Sequence, residues 1–237
     1  MFFEITDRVA PATLARITGG LYVSFIAVSV LADALGHIGL GDAQQMYGAL
    51  TTSPGLFRLG LVAAFVSAFL FLMTAWGLYV LLRTVNTDLS LLFLLLNAVG
   101  VALQCASLIS LLAALHLTDP AGGQAAFQPA QGEALTYLSI NVYRIGFVTA
   151  QLFFGTWLFP LGYLVFTSGL LPRFLGVLLI LDGFGELVWF LQALLLPAYP
   201  SITVPGTVVS LLAEVGLALW LLVRGVRVAT VDETASR

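Results

Sequence analysis

Six stretches of about twenty or more mostly apolar residues run through this chain, at about 13–36, 57–82, 89–115, 138–166, 174–196 and 204–223. A helix rises 1.5 Å per residue and needs about 20 such residues to cross a hydrocarbon core roughly 30 Å thick. Each stretch is long enough to span a bilayer, and a chain of 237 residues has little left for anything else. The expected fold class is therefore all-α: a polytopic membrane protein, a six-transmembrane-helix bundle forming one domain over residues 1–237. Composition points the same way. Of the residues, 60% are hydrophobic and 9% charged, where soluble domains hold about 45–50% and about 25%. The mean hydropathy is +1.04.

The links between the runs are mostly short. Residues 83–88 join the second run to the third, and 167–173 the fourth to the fifth. PAYPSITVP, with its prolines and Tyr199, suits an interface between the fifth and sixth. Residues 39–54 have room for a short surface helix, and the outer loop 118–133 (TDPAGGQAAFQPAQGE) reads as irregular from its Gly and Pro content. The amino-terminal MFFEITDRVAPATLAR lacks the basic start and apolar centre of a signal peptide, so the first run is expected to remain as a span.

Arginine placement orients the bundle. Arg8, Arg16, Arg83, Arg173, Arg224, Arg227 and Arg237 fall on one side, and Arg58 and Arg144 lie toward the other, whose long loop carries Asp119 and Glu133. By the positive-inside rule both termini are expected in the cytoplasm, with the protein in the cell inner (plasma) membrane.

The residue inventory narrows the chemistry. There is no lysine, which removes Schiff-base mechanisms. Cys105 is the single cysteine, so no intrachain disulfide forms. Two histidines cannot make a three-histidine zinc site, nothing flanking His37 and His116 favours a haem between them, and no metal or particular cofactor is indicated. A net charge of −3 gives no reason to expect nucleic acid as a partner. GxSxG, P-loop and GxGxxG patterns are missing. Paired carboxyls within the spans are the remaining acid–base candidates, and Leu181-Asp182-Gly183-Phe184-Gly185 does not match aspartyl intramembrane proteases well. No catalytic residue is assigned, and an enzyme is not the favoured reading.

Ionisable groups at membrane depth cost on the order of 2.5–3.5 kcal/mol each to insert, so each needs an explanation. Glu214 lies ten residues into the sixth run, about 15 Å deep at 1.5 Å per residue. Asp182 and Glu186 stand at i, i+4 on one face of the fifth. Asn97 and Gln104 mark one face of the third at i, i+7, and Gln151 sits near the middle of the fourth. These six are expected to converge as a protonatable polar core for a ligand. The alternative is that they only hydrogen-bond helix to helix. A second, outer cluster comprises Asp33, His37, Arg58, His116, Asn141 and Arg144. Either it forms an anion or headgroup site on Arg58 and Arg144, with Arg144 free to pair with Asp33, or its arginines merely snorkel. Phe153, Phe154 and Trp157 are expected to face lipid or core.

An internal echo runs through the middle of the chain. Phe57-Arg58-Leu59-Gly60 answers to Tyr143-Arg144-Ile145-Gly146, Gly77-Leu78-Tyr79-Val80 to Gly162-Tyr163-Leu164-Val165, and Asn97 with Gly100 to Asp182 with Gly185. The offset is 86 residues at the first block and 85 at the others, a slip of one. This is the pattern of a parallel two-helix repeat about an axis along the membrane normal. Chance agreement within an apolar alphabet is the competing explanation.

Two segments carry a family likeness: LGYLVFTSGLLPRFLGVLL from Leu161 to Leu179, and AEVGLALWLLVRG from Ala213 to Gly225. Both resemble a large bacterial domain-of-unknown-function family of six-span membrane proteins, over about Ala15 to Val226. The resemblance implies a six-helix bundle in which Glu214 and the Leu171-Pro172-Arg173 turn match the family pattern. It brings no established activity or catalytic residue.

Two functions follow as expectations. The first is binding or transport of a hydrophobic or amphipathic small molecule or lipid through the polar core. The second is a non-catalytic accessory or sensor subunit packed against another membrane protein, or a homo-oligomer. A binder should hide its acids around an internal cavity. An accessory subunit should fill its interior and turn a flat, glycine-rich face outward.

Overall fold

The computed structural model describes residues 10–119 and 127–226. Among the described residues there are seven α-helices: α1 Pro11–Gly36, α2 Ala43–Thr52, α3 Pro54–Leu82, α4 Thr87–Leu117, α5 Pro129–Thr167, α6 Arg173–Leu195 and α7 Val204–Val223, with a 3-10 turn at Pro200–Thr203 before α7. All but α2 belong to segments long and apolar enough to cross a membrane. The protein is a multi-pass, all-α membrane bundle.

Helix ends follow local chemistry. Pro occupies the first turn of α1, α3 and α5, where its missing N–H costs nothing. Asp42 opens α2 with a capping box, its carboxylate accepting from the Gln45 N–H at 2.8 Å while the Gln45 side chain accepts from the Asp42 N–H at 2.9 Å. Asn86 caps α4, accepting from the Leu89 N–H at 3.0 Å. Gly169 takes φ +68° in the turn before Pro172, a conformation a side chain would resist. The expected irregular loop is shorter than its sequence implied, because residues 129–133 already belong to α5; the residues 120–126 lie outside the described ones, as do Arg8, Arg227 and Arg237. At about 1.5 Å per residue, the 39 residues of α5 reach roughly 58 Å, well beyond a bilayer core. Its overhanging start carries α2, through stacked Tyr47 and Tyr137 rings 4.6 Å apart.

The spanning helices close a ring in chain order. Each packs on the one before and the one after, and α7 returns to pack on α1. Gly19 of α1 faces the backbone of Leu221 and Leu222 on α7, so the first and last spans meet at one end of the bundle, the terminal end. Glycines set the close approaches inside the ring. A Cβ built on Gly183 would lie 2.9 Å from the Gly155 carbonyl, and one on Gly185 2.9 Å from Gly206 Cα. The sequence echo recurs in these neighbours. Gly60 of α3 faces α1 and Gly146 of α5 faces α4; Gly100 of α4 faces Phe154 of α5 and Gly185 of α6 faces α7. Each pair is related by two steps around the ring. Gly77 and Gly162 break the pattern, facing α1 and α6. The one-residue slip lies between these blocks, and removing one residue turns the remainder of a helix by about 100°.

The terminal half of the ring is solid. Leu78, Leu82, Leu161, Leu164, Leu175 and Leu221 are all buried there in one apolar cluster. Toward the loop end a second apolar cluster, with Met46, Leu50, Phe57, Leu108 and Ile140, packs α1 to α5 together, and cavities open beside it.

Candidate functional site

One residue from each spanning helix forms a layer above the leucine plug. Tyr22, Phe71, Asn97, Trp157, Asp182 and Glu214 each lie nine to eleven residues from the terminal end of their helix. Phe71 is the aromatic hub. Its ring lies 4.4 Å from that of Phe25, stacked at 12°, and 5.3 Å from that of Trp157, edge-on at 87°. Phe154 adds a contact at 5.2 Å. α3 and α5 are not neighbours in the ring, so these aromatics bridge its interior and form a floor.

Polar groups within the spans divide into two sets. Hydroxyls mostly turn back onto their own helix: Thr18 donates to the Leu14 carbonyl at 2.9 Å, Ser67 to Ala64 at 2.8 Å and Thr74 to Leu70 at 2.9 Å. They need no partner elsewhere. The exceptions are buried side-chain atoms of Tyr22, Ser90, Asn97, Asp182 and Glu186, which have no hydrogen-bond partner among the described residues. Three of these residues belong to the floor layer and Glu186 stands one turn above Asp182. Tyr22, Asn97 and Asp182 are fully buried. Asp182, Glu186 and Glu214 are close enough to feel one another's charge, and Tyr22 is a neighbour of Glu214, although no hydrogen bond of good geometry joins that pair.

Above the floor lies a central cavity of about 470 Å³. Four of the six residues expected in a polar core border it: Glu214, Glu186, Gln104 and Gln151. Asn97 and Asp182 do not. Asn97 shares the helix face of Gln104 but sits two turns lower, about 10 Å at 5.4 Å per turn, within the floor layer and off the cavity. Asp182 is sealed at 0% exposure. Ser210 of α7 donates to Glu186 Oε1 at 3.5 Å, which leaves Glu186 Oε2 without a partner. The wall is aromatic, with Phe147 and Trp189 edge-on at 5.9 Å completing it over Phe71, Phe154 and Trp157. Toward the loop end the cavity meets a wider vestibule of about 710 Å³ between α5, α6 and α7, the two sharing Tyr143, Phe147, Glu186, Trp189 and Ser210.

The outer cluster comes apart. Asp33 turns into the mouth of the central cavity, where its Oδ1 accepts from the Leu40 N–H at 3.2 Å. Arg144 and Asn141 are exposed and border the vestibule. The anticipated Arg144–Asp33 pair is not formed among the described residues, because Asp33 is committed to the 37–41 turn instead. Arg58 pairs with Asp119 at 3.5 Å beside a third recess, at the overhanging start of α5. His37 ends α1 in the left-handed conformation, φ 53°, and His116 is exposed on the last turn of α4. Arg58 and Arg144 therefore address different spaces, and a shared anion site on both is not built. Among the described residues no group of three or more His, Cys, Asp or Glu is arranged to hold a metal.

The family model described as a domain of unknown function, DUF4386, matches residues 17–225. The chain belongs to the DUF4386 family. No curated protein and no solved structure matches it. In this DUF4386 protein the aromatic wall is a part of the site beyond the polar residues expected from the sequence. Phe154 and Trp157 do lie in the core, as expected, and they also border the cavity. The signal was the spacing Tyr143, Phe147, Gln151, Phe154 and Leu158, steps of three and four that place all five on one face of α5.

Proposed function

We propose that this protein binds an amphipathic small molecule or lipid inside the loop half of its helix ring, and that the six polar residues Glu214, Glu186, Asp182, Asn97, Gln104 and Gln151 serve that binding. Glu214, Glu186, Gln104 and Gln151 meet the molecule, while Asp182 and Asn97 polarise the layer beneath. The observation that carries the reading is a central cavity of about 470 Å³ bordered by carboxyls and aromatic rings in a bundle whose other half is solid. Ligand sites commonly enclose about 300–1,000 Å³, mostly apolar with a few convergent polar groups. An accessory subunit would fill its interior and turn its glycines outward. Here Gly155, Gly162, Gly176, Gly183 and Gly185 face neighbouring helices instead, which favours a binder. Arg16, Arg83, Arg173 and Arg224 at the terminal end support cytoplasmic termini in the plasma membrane, with the cavity opening outward.

Native mass spectrometry of protein purified gently from its own membrane, wild type beside Glu214→Gln, tests the reading. A discrete adduct that is weakened in the variant is expected. A stoichiometric protein partner with no small adduct would replace it with the accessory role.

A further inference from the structure

We infer that the molecule taken by the central cavity is a lipophilic organic cation, its positive charge seated between Glu186 and Glu214 and its apolar body against the Phe71 and Trp157 wall. This rests on the ligand-binding reading above and adds the chemical class.

The polarity of the cavity is one-sided. Asp33, Glu186 and Glu214 border it and, among the described residues, no arginine or histidine does; lysine is missing from the chain. The two arginines of the loop end open elsewhere, Arg144 on the vestibule and Arg58 beside Asp119. Among the described residues Glu186 Oε2 is buried with no donor, and no hydrogen bond of good geometry reaches either oxygen of Asp182, one turn away, although the Ser210 hydroxyl is near it. A pocket whose charged side chains are all acidic, one of them with a buried oxygen that no donor reaches, is completed by a ligand that brings positive charge. An anionic headgroup would meet like charge, at a cost of several kcal/mol in a desolvated site. A plain hydrocarbon would leave the acceptors unpaired. The wall adds a second, independent preference. Aromatic faces attract cations, indole most strongly, and a desolvated cation gains most from them. Trp157 at the floor and Trp189 in the wall stand beside the same carboxyls.

The test uses full-length protein in lipid nanodiscs, with empty nanodiscs as blank, titrated calorimetrically with tetraphenylphosphonium and with tetraphenylborate. These ions have nearly the same shape and opposite charge. Saturable binding of the phosphonium near one per protein is expected, with the borate at least tenfold weaker. Glu214→Gln and Glu186→Gln should each weaken phosphonium binding tenfold or more while the melting temperature stays close to wild type. If one variant does not fold, the other and the wild-type ion pair still decide the matter. Equal binding of both ions overturns the charge preference and leaves the cavity reading standing. Saturable binding of neither overturns the inference, and the further finding of no adduct by native mass spectrometry would remove the reading beneath it.

Discussion

Gly176→Ala isolates the close packing of α5 on α6. A Cβ at Gly176 would lie 2.6 Å from the Gly162 carbonyl oxygen, 2.7 Å from the Phe166 nitrogen and 2.8 Å from Phe166 Cβ. These are backbone atoms and a Cβ, with no flexible tip to swing away. To restore ordinary contact near 3.4 Å the helices must separate locally by about 0.8 Å, and a gap of that size forfeits a quarter to a half of each affected dispersion contact. Overpacking of this kind costs about 1–3 kcal/mol, more than the ~1 kcal/mol that alanine gains over glycine in a helix. The net loss is up to about 2 kcal/mol; for a chain of this size each kcal/mol moves the melting temperature by about 2–4 °C, so a fall of up to roughly 8 °C is expected in nanodiscs or mild detergent. Gly216→Ala is the control. Its Cβ would find only Leu175 Cδ2, at 3.4 Å, and the variant should melt at or slightly above wild type. Equal shifts in the two variants, or a rise in Gly176→Ala, would refute the reasoning.

Phe71→Ala removes the hub of the aromatic floor and should lower stability by about 3–5 kcal/mol, read as a lower melting temperature; a loss below about 1 kcal/mol would mean that the floor is not packed as described. Arg58→Ala breaks an ion pair whose side chains are 57% and 37% exposed. It should cost less than about 1 kcal/mol, and a larger fall in melting temperature would show a structural role that the geometry does not contain. On a Cys105→Ser background, Ser29→Cys at the cavity should react with a membrane-impermeant maleimide added outside intact cells, whereas Leu161→Cys in the plug should stay unlabelled. Labelling of Ser29→Cys only after the cells are opened would reverse the proposed orientation.

The helices were legible in the sequence because lipid leaves a chain little freedom: backbone groups must be satisfied within each span, so long apolar runs are helices. The hollow was not. Spans that are apolar on every side carry no periodicity to say which face turns inward, and whether six of them enclose a plug or a cup depends on side-chain size at each level. Leu161 and Leu164 fill the ring where Ser67 and Gln104 leave room. Helical spacing recovered which polar residues share a face and not how deep each sits, which is why Gln104 reached the cavity and Asn97 stayed within its floor. The outer cluster failed for a related reason. Asp33 and Arg58 come from neighbouring helices at similar depth, but the turn after α1 drew Asp33 inward while Arg58, in the second turn of α3, pointed to the overhang of α5. The start of α5 was missed because PAQGE looks like loop, although Pro at the first helical position is a start signal.

The seam between α1 and α7 has a consequence for how the protein is made. Synthesis delivers the first span long before the last, and only the last closes the wall, at Gly19 against Leu222. Until residues 204–223 leave the ribosome, the earlier helices can form no more than an open crescent. Its inner lining, including the Tyr22 hydroxyl and the Asp182 carboxyl, then faces lipid with nothing to hydrogen-bond. The same α7 supplies Glu214, so ring closure and completion of the acidic lining are a single event. A chain truncated before α7 would leave those groups open to lipid at mid-membrane depth, where the closed ring shields them.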